Sequence, residues 1–316
     1  MNIGSTIFNS FKLGTNDISK VYIGTDKVYP NSQTPLLDSH PSNCAAYSLR
    51  LLSSSYTGDC LQIRRESNND TLDVGFVNGY LDEASIISFS TGTNSRVVKW
   101  YDQSSNSRDA IQIVANNQPL IYNSTTGLYL LNGKSSILWD GVVGTGLKYS
   151  SLQGSNKYSV SSVLSTKNVG QYTKLFSVGP DAQTQGVWFT LNTGGTILEW
   201  VNNDTGFAGN GYNNPTGPSV ISDSRIMIDA IDTQSLLTSV LSSSNASMYK
   251  DGTEISYRVQ RTGNCFTSSG DLIIGNSPNN VNAIYSKMQE LIIWHSDEDS
   301  SMTEIHNNTN SYFNIY

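Results

Sequence analysis

Charge is scarce in this chain. Only 14% of its 316 residues are Asp, Glu, Lys or Arg, and the formal net charge is −7. No run of Lys and Arg exists to track phosphates, so nucleic acid is excluded as an expected partner. Long apolar runs are missing too: nothing approaches the ~20 residues that a membrane-spanning helix needs, so no membrane association is expected. The opening MNIGSTIFNSFKLG has no basic start leading into an apolar run, so no secretory signal is expected and synthesis in a cytoplasm is. Cysteine is rare. Cys44, Cys60 and Cys265 are odd in number and widely spaced. That pattern excludes a disulfide framework and a structural zinc site, and leaves buried, reduced thiols. His40, His295 and His306 lack metal-ligand spacing and read as surface residues, so no metal or cofactor is expected. The glycines at Gly206–Gly211 are in the wrong order for a dinucleotide loop, and no G-x-S-x-G elbow occurs.

Ser, Thr, Asn and Gly fill the space that charge leaves, and such chains favour strands and turns over helices. In the first thirty residues, Gly14-Thr15 and Gly24-Thr25 recur ten positions apart among Ile7, Phe11, Leu13, Val21, Tyr22, Ile23, Val28 and Tyr29. Two or three very short hairpin strands are expected there, a unit too small to bury its own core. Residues 31–42, with Pro35 and Pro41, read as a linker. From residue 43 to 316 the segments lengthen. Leu61–Arg65 and Arg96–Tyr101 alternate as strands, and Ala45–Leu52 suits either a strand or a short helix. Tyr158–Ser165, Leu175–Val178, Val187–Leu191, Ile197–Val201, Ile226–Ile231 and Leu236–Leu241 follow at the spacing of a β-sandwich. Gln118–Ile121 reads as an edge or linking strand, because Pro119 cannot donate to a central ladder. Ser247–Thr253 enters an Asp-Gly hairpin, and Asp271–Gly275 and Lys287–Trp294 are the last strong strands. Two short helices are expected, one from Asp82 and one behind a capping box at Ser301–Glu304. The fold class is therefore all-β: a two-sheet antiparallel jelly-roll sandwich with a small N-terminal hairpin unit at 1–30.

Two stretches carry resemblances. SMYKDGTEI, DLIIGNS and MQELIIWHSDE, in that order, resemble laminin-G/concanavalin-type jelly rolls. CAAYSLRLLSSSYTGDCLQIRR followed by WYDQSSNSRDA closely resembles the arabinofuranosidase B catalytic domain, most sharply at Tyr101-Asp102-Gln103-Ser104. That family implies two carboxylates acting on a glycosidic bond. Its Asp-x-Glu-Asn-Asn nucleophile motif falls on Glu199-Trp200-Val201-Asn202-Asn203, placing Val201 at the nucleophile. Its Gly-Gly-Asp-Asn-Ser motif falls on Ile273-Ile274-Gly275-Asn276-Ser277, placing Gly275 at the acid. Neither can do the chemistry. A sandwich of this kind behind a Gly-Thr hairpin unit resembles virion proteins of tailed bacteriophages.

The reading that follows is a non-enzymatic virion protein, a phage fibre or surface decoration made in a host cytoplasm and displaying the sandwich for adhesion to host glycans. Its expected partners are further copies of the chain, as a trimer, and other virion proteins through residues 1–30. Trp188, Glu199, Trp200, Asn202, Asn203 and Asn276 are the candidate carbohydrate-binding residues, with core packing an equal reading for the two tryptophans. Trp100 and Trp294 read as core, and Glu290 as a buried or outward-facing acid rather than a catalytic one. Tyr101, Asp102 and Gln103 read as a structural turn in which Asp102 caps its own backbone. The alternatives are a free-standing lectin and a glycoside hydrolase of arabinofuranosidase type, for which Glu199 and Asp204 would have to supply the carboxylates.

Overall fold

The computed structural model describes residues 34–167, 173–181, 185–191, 198–202, 220–222, 232–241, 246–254, 269–276 and 284–316, and short strands between residues 2 and 29. Three short antiparallel strand pairs come first. Asn2–Ile3 pairs with Thr6–Ile7, Phe11–Leu13 with Asn16–Ile18, and Val21–Ile23 with Asp26–Tyr29. The connecting residues are Gly4-Ser5, Gly14-Thr15 and Gly24-Thr25, so the ten-residue recurrence has three members, one more than the Gly-Thr pairs disclose.

Two antiparallel sheets make the body. One runs, in spatial order, through Thr71–Val74, Leu61–Arg65, Ser95–Trp100, Ala110–Ile111, Leu147–Leu152, Gly270–Ile274, Thr173–Asp181, Gln185–Leu191, Leu198–Asn202 and Val220–Ser222. In the other, Ala45–Ser48 and Ile137–Asp140 pair with opposite ends of Tyr285–Trp294. Tyr158–Lys167, Ser235–Leu241 and Ala246–Lys250 then follow. Leu120–Asn123, expected as a linking strand, pairs with both Ser95–Trp100 and Ile137–Asp140 and joins the two sheets. The segment Ile226–Ile231 lies outside the described residues.

Period-two alternation places Leu61, Ile63, Leu272, Ile274, Val160, Leu291 and Ile293 in the core between the sheets, with Trp100 and Trp139 beside them. The run Glu290–Trp294 does not alternate because both of its faces are covered. Ile292 and Trp294 pack on the outside against Leu36, Leu37, Leu52, Met302 and Ile305. Each such side chain removed from water contributes roughly 1.5–3 kcal/mol. Leu36 and Leu37 stand on the short helix Leu36–Ser39, within the stretch read as a linker. The indole of Trp294 donates to the His40 carbonyl at 3.1 Å, which ties that stretch to the body.

The C-terminal helix is longer than expected, Met302–Phe313, and the Ser301 capping box does not form. A 3-10 turn, Asp299–Ser301, precedes the helix, so Ser301 already has helical rather than extended backbone and its hydroxyl makes no cap bond. The cap at Asp82 does form: its carboxylate accepts from the Ser85 amide at 3.1 Å.

This helix carries His306, which is buried rather than on the surface, with Nε2 2.7 Å from the Thr238 hydroxyl. Burial pushes its pKa down to about 4 from the ordinary 6.5. The neutral ring is thus the folded form, while the unfolded chain takes up a proton as pH falls through about 6.5. Stability is complete above that value and declines toward pH 4, by up to about 3 kcal/mol from this residue. Urea unfolding at pH 7 and pH 4.5 should show a smaller acid loss in His306→Gln than in the wild type. Equal losses would remove the assignment.

Candidate functional site

The Tyr101–Ser104 turn is fully engaged in holding the fold. The Asp102 carboxylate accepts from the amides of Ala46 (2.8 Å), Ser104 (2.9 Å) and Arg108 (2.9 Å), and from the Ser104 hydroxyl (2.7 Å). Gln103 donates to the carbonyls of Ser48 (2.8 Å) and Arg50 (3.0 Å) and accepts from the Leu52 amide (2.8 Å). Both side chains are buried and knit the turn to the segment 46–52, which therefore has little latitude to shift. Tyr101 donates to Asp73 at 2.7 Å, with the Lys99 ammonium 4.6 Å from its ring centre.

Glu290 is also structural. Its carboxylate meets Arg50 through Nε at 2.7 Å and a second guanidinium nitrogen at 3.1 Å, and it accepts from the Ser48 hydroxyl at 2.8 Å. Arg50 continues to Asn308 at 2.8 Å and lies 5.2 Å from the Tyr312 ring centre. The pair fastens the C-terminal helix to the body.

The candidate sugar-binding residues divide by register. Val201 pairs with Trp188, and Glu199 with Thr190, so these four positions share one face of their sheet. Trp200 pairs with Phe189, which pairs in turn with Phe176. By register, Trp200 and Asn202 share a sheet face with Phe176, a residue of the main core. Asn276 is buried, against the Gly146 backbone. Asn203 and Asp204 lie outside the described residues. Strand register thus unites Trp188 with Glu199 and separates both from Trp200 and Asn202.

Gly275 occupies a position where no side chain fits. Its φ is +81°, and a Cβ built there would stand 1.8 Å from Nε1 of Trp139. Trp139 is fully buried, and its Nε1 has no hydrogen-bond partner among the described residues. Sequence reading missed this tryptophan because its strand, Ile137–Asp140, is too short to show periodicity. Among the described residues no cluster of three or more His, Cys, Asp or Glu side chains is arranged to hold a metal ion.

Comparison with known proteins gives the class. Residues 27–125 match the family profile of the α-L-arabinofuranosidase B catalytic domain. The fold is similar to that of a GH54 α-L-arabinofuranosidase soaked with a cyclic sulfate inhibitor, with TM-score 0.57 and 17% identity over 87% of this chain. It is also similar to an arabinofuranosidase complexed with arabinofuranosyl-α-1,2-xylobiose, with TM-score 0.57 and 18% identity over 87% of this chain. The chain covers 64% of the length of each of these structures. A search of curated proteins returns no match. The fold is thus an all-β sandwich resembling the arabinofuranosidase B catalytic domain.

These findings overturn the expectation of a non-enzymatic virion protein. The matched segment is similar to an arabinofuranosidase catalytic profile, and the structural neighbours share the fold. That expectation rested on the missing secretory signal, the Gly-Thr hairpin unit at residues 1–30 and two aligned positions, Val201 and Gly275, that lack a carboxylate. A blank at those positions excludes those residues from catalysis, but it does not exclude carboxylates elsewhere on the same sheet.

Proposed function

We propose that the chain is a glycoside hydrolase of arabinofuranosidase type. The match of residues 27–125 to the arabinofuranosidase B catalytic profile carries the reading. The buried bonds of Asp102 and Gln103 support it, since the segment of closest resemblance is held rigidly within the sandwich. Glu199 is the carboxylate we assign to the reaction. It shares a strand face with Val201, two residues along, a displacement of about 7 Å. A residue moved by one pleat along the strand keeps the same face, which Trp188 shares by register. The second carboxylate is assigned to Asp204. A retaining mechanism requires the two to stand about 5–5.5 Å apart, one attacking the anomeric carbon while the other protonates the leaving oxygen.

Turnover of 4-nitrophenyl α-L-arabinofuranoside tests the reading. The wild-type protein should release nitrophenol, and Glu199→Gln should fall to the uncatalysed background with its melting temperature unchanged. Absence of turnover in the wild type, or turnover that survives the substitution, would overturn the assignment.

A further inference from the structure

An open cleft of about 360 Å³ is lined by Leu51, Tyr56, Thr57, Asp59, Phe76 and three glycines. We propose that it is a second carbohydrate-binding site, one that takes a single hydroxyl-rich sugar unit and acts independently of the hydrolytic centre. Its walls are aromatic. Tyr56 and Phe76 meet edge to face, with ring centres 6.4 Å apart. The Tyr56 hydroxyl donates to the Asp59 carbonyl at 2.7 Å, which fixes the ring at the cleft edge.

Glycine keeps the space open. A Cβ at residue 58 would stand 2.6 Å from the Tyr56 hydroxyl, so a larger residue there would push the outer end of the ring aside. Gly79 has φ +81°, a left-handed conformation that closes the hairpin between Phe76–Val77 and Tyr80–Leu81. At Gly75 the nearest atom to a built Cβ is Asp59 Oδ1 at 3.4 Å, so any larger side chain there would stand against the carboxylate.

Asp59 determines the class of ligand. Its carboxylate is half-buried at the cleft, yet accepts no hydrogen bond and joins no ion pair among the described residues. Other acids in this region have partners: Asp73 accepts from Tyr101 and Gln62, and Asp109 lies 3.7 Å from Lys99. A free acceptor beside two aromatic faces and the Thr57 hydroxyl suits a ring that presents hydroxyl donors on its edge and C–H groups on its face. Pockets that hold small ligands begin at about 300 Å³, so the cleft has room for one sugar unit. An ammonium ion would satisfy Asp59 but leave most of the volume empty.

Protein NMR separates these outcomes, with methyl α-L-arabinofuranoside, xylobiose and tetramethylammonium titrated in turn. The expected result is saturable shifts of Tyr56, Phe76 and Gly75 signals with at least one of the two sugars. Asp59→Ala and Gly75→Leu should each weaken that binding tenfold or more, while nitrophenyl arabinofuranoside turnover is retained. Glu199→Gln should bind in the cleft as the wild type does, which keeps failure of the hydrolase reading distinct from failure of this one. Shifts with tetramethylammonium alone, no saturable shifts at the cleft, or sugar binding unchanged in both cleft variants would each overturn the proposal. Gly75→Leu leaves the Tyr56 and Asp59 bonds in place and serves as the control if Asp59→Ala fails to fold.

Discussion

Glu290→Ala should lower stability by about 3–5 kcal/mol, because it leaves the Arg50 guanidinium buried beneath Tyr312 and Phe313 without its counter-charge. Both partners are inaccessible, at 4% side-chain exposure for Arg50 and 0% for Glu290. At roughly 2–4 °C per kcal/mol for a chain near this size, the melting temperature should fall by on the order of 10 °C. A bidentate pair of this kind is costly to break but not necessarily costly to replace. Arg50→Met with Glu290→Met should therefore recover a large part of the loss. Thermal unfolding of the single and double variants checks both statements. A single variant within 1 kcal/mol of the wild type would mean that water reaches the guanidinium. Because the pair also meets Asn308 on the C-terminal helix, the single variant should expose that helix to protease first.

The second expectation concerns Gly275, which the sequence resemblance sets against the family's acid. Gly275→Asp should destabilise the protein by roughly 2–5 kcal/mol, combining overpacking with a left-handed backbone that side chains rarely adopt. It should add no turnover, since the carboxylate cannot occupy the space that the Trp139 indole fills. Unfolding in urea and the nitrophenyl arabinofuranoside assay give the two readouts. A stable Gly275→Asp variant with raised turnover would show that Trp139 can swing aside, and would return this position to the reaction. The Trp139 indole fills the space that a side chain at Gly275 would need, a constraint that a linear sequence does not display.

Much of the fold was legible because period two is a strong signal wherever one sheet face is buried and the other is not. Leu61–Arg65 and Leu236–Leu241 were read within a residue or so of their observed bounds, and Asp82 declared its helix through a cap that the structure shows. Misreadings arose where a third layer intervenes. His306 looked like a surface residue because its helix packs on the outside of a sheet, a contact with no sequence periodicity of its own. Leu36 and Leu37 hid among prolines for the same reason. At the site, sequence brought Trp188, Glu199, Trp200 and Asn202 together by proximity. Alternation along a single strand then divides them, since a neighbour in sequence is on the opposite face in a sheet. The Asp59 cleft escaped notice because its walls come from separate turns, and its most informative residues are glycines.

The pairing of Ser48 with Glu290 has a consequence for how the chain is made. These partners are 242 residues apart, and Ala45–Ser48 has its place beside Tyr285–Trp294. At about 5–20 residues per second, a ribosome needs roughly 12–48 s to deliver the second strand after the first. Throughout that interval Ala45–Ser48 is an apolar segment with no ladder to join, and Arg50 waits for its carboxylate. The segment that most resembles the arabinofuranosidases therefore cannot complete its own sheet as it is synthesised. Closure of the sandwich therefore waits on Tyr285–Trp294, which is made long after Ala45–Ser48. Slow, non-local closure of this kind favours capture by chaperones and makes C-terminal truncation more damaging than its length suggests.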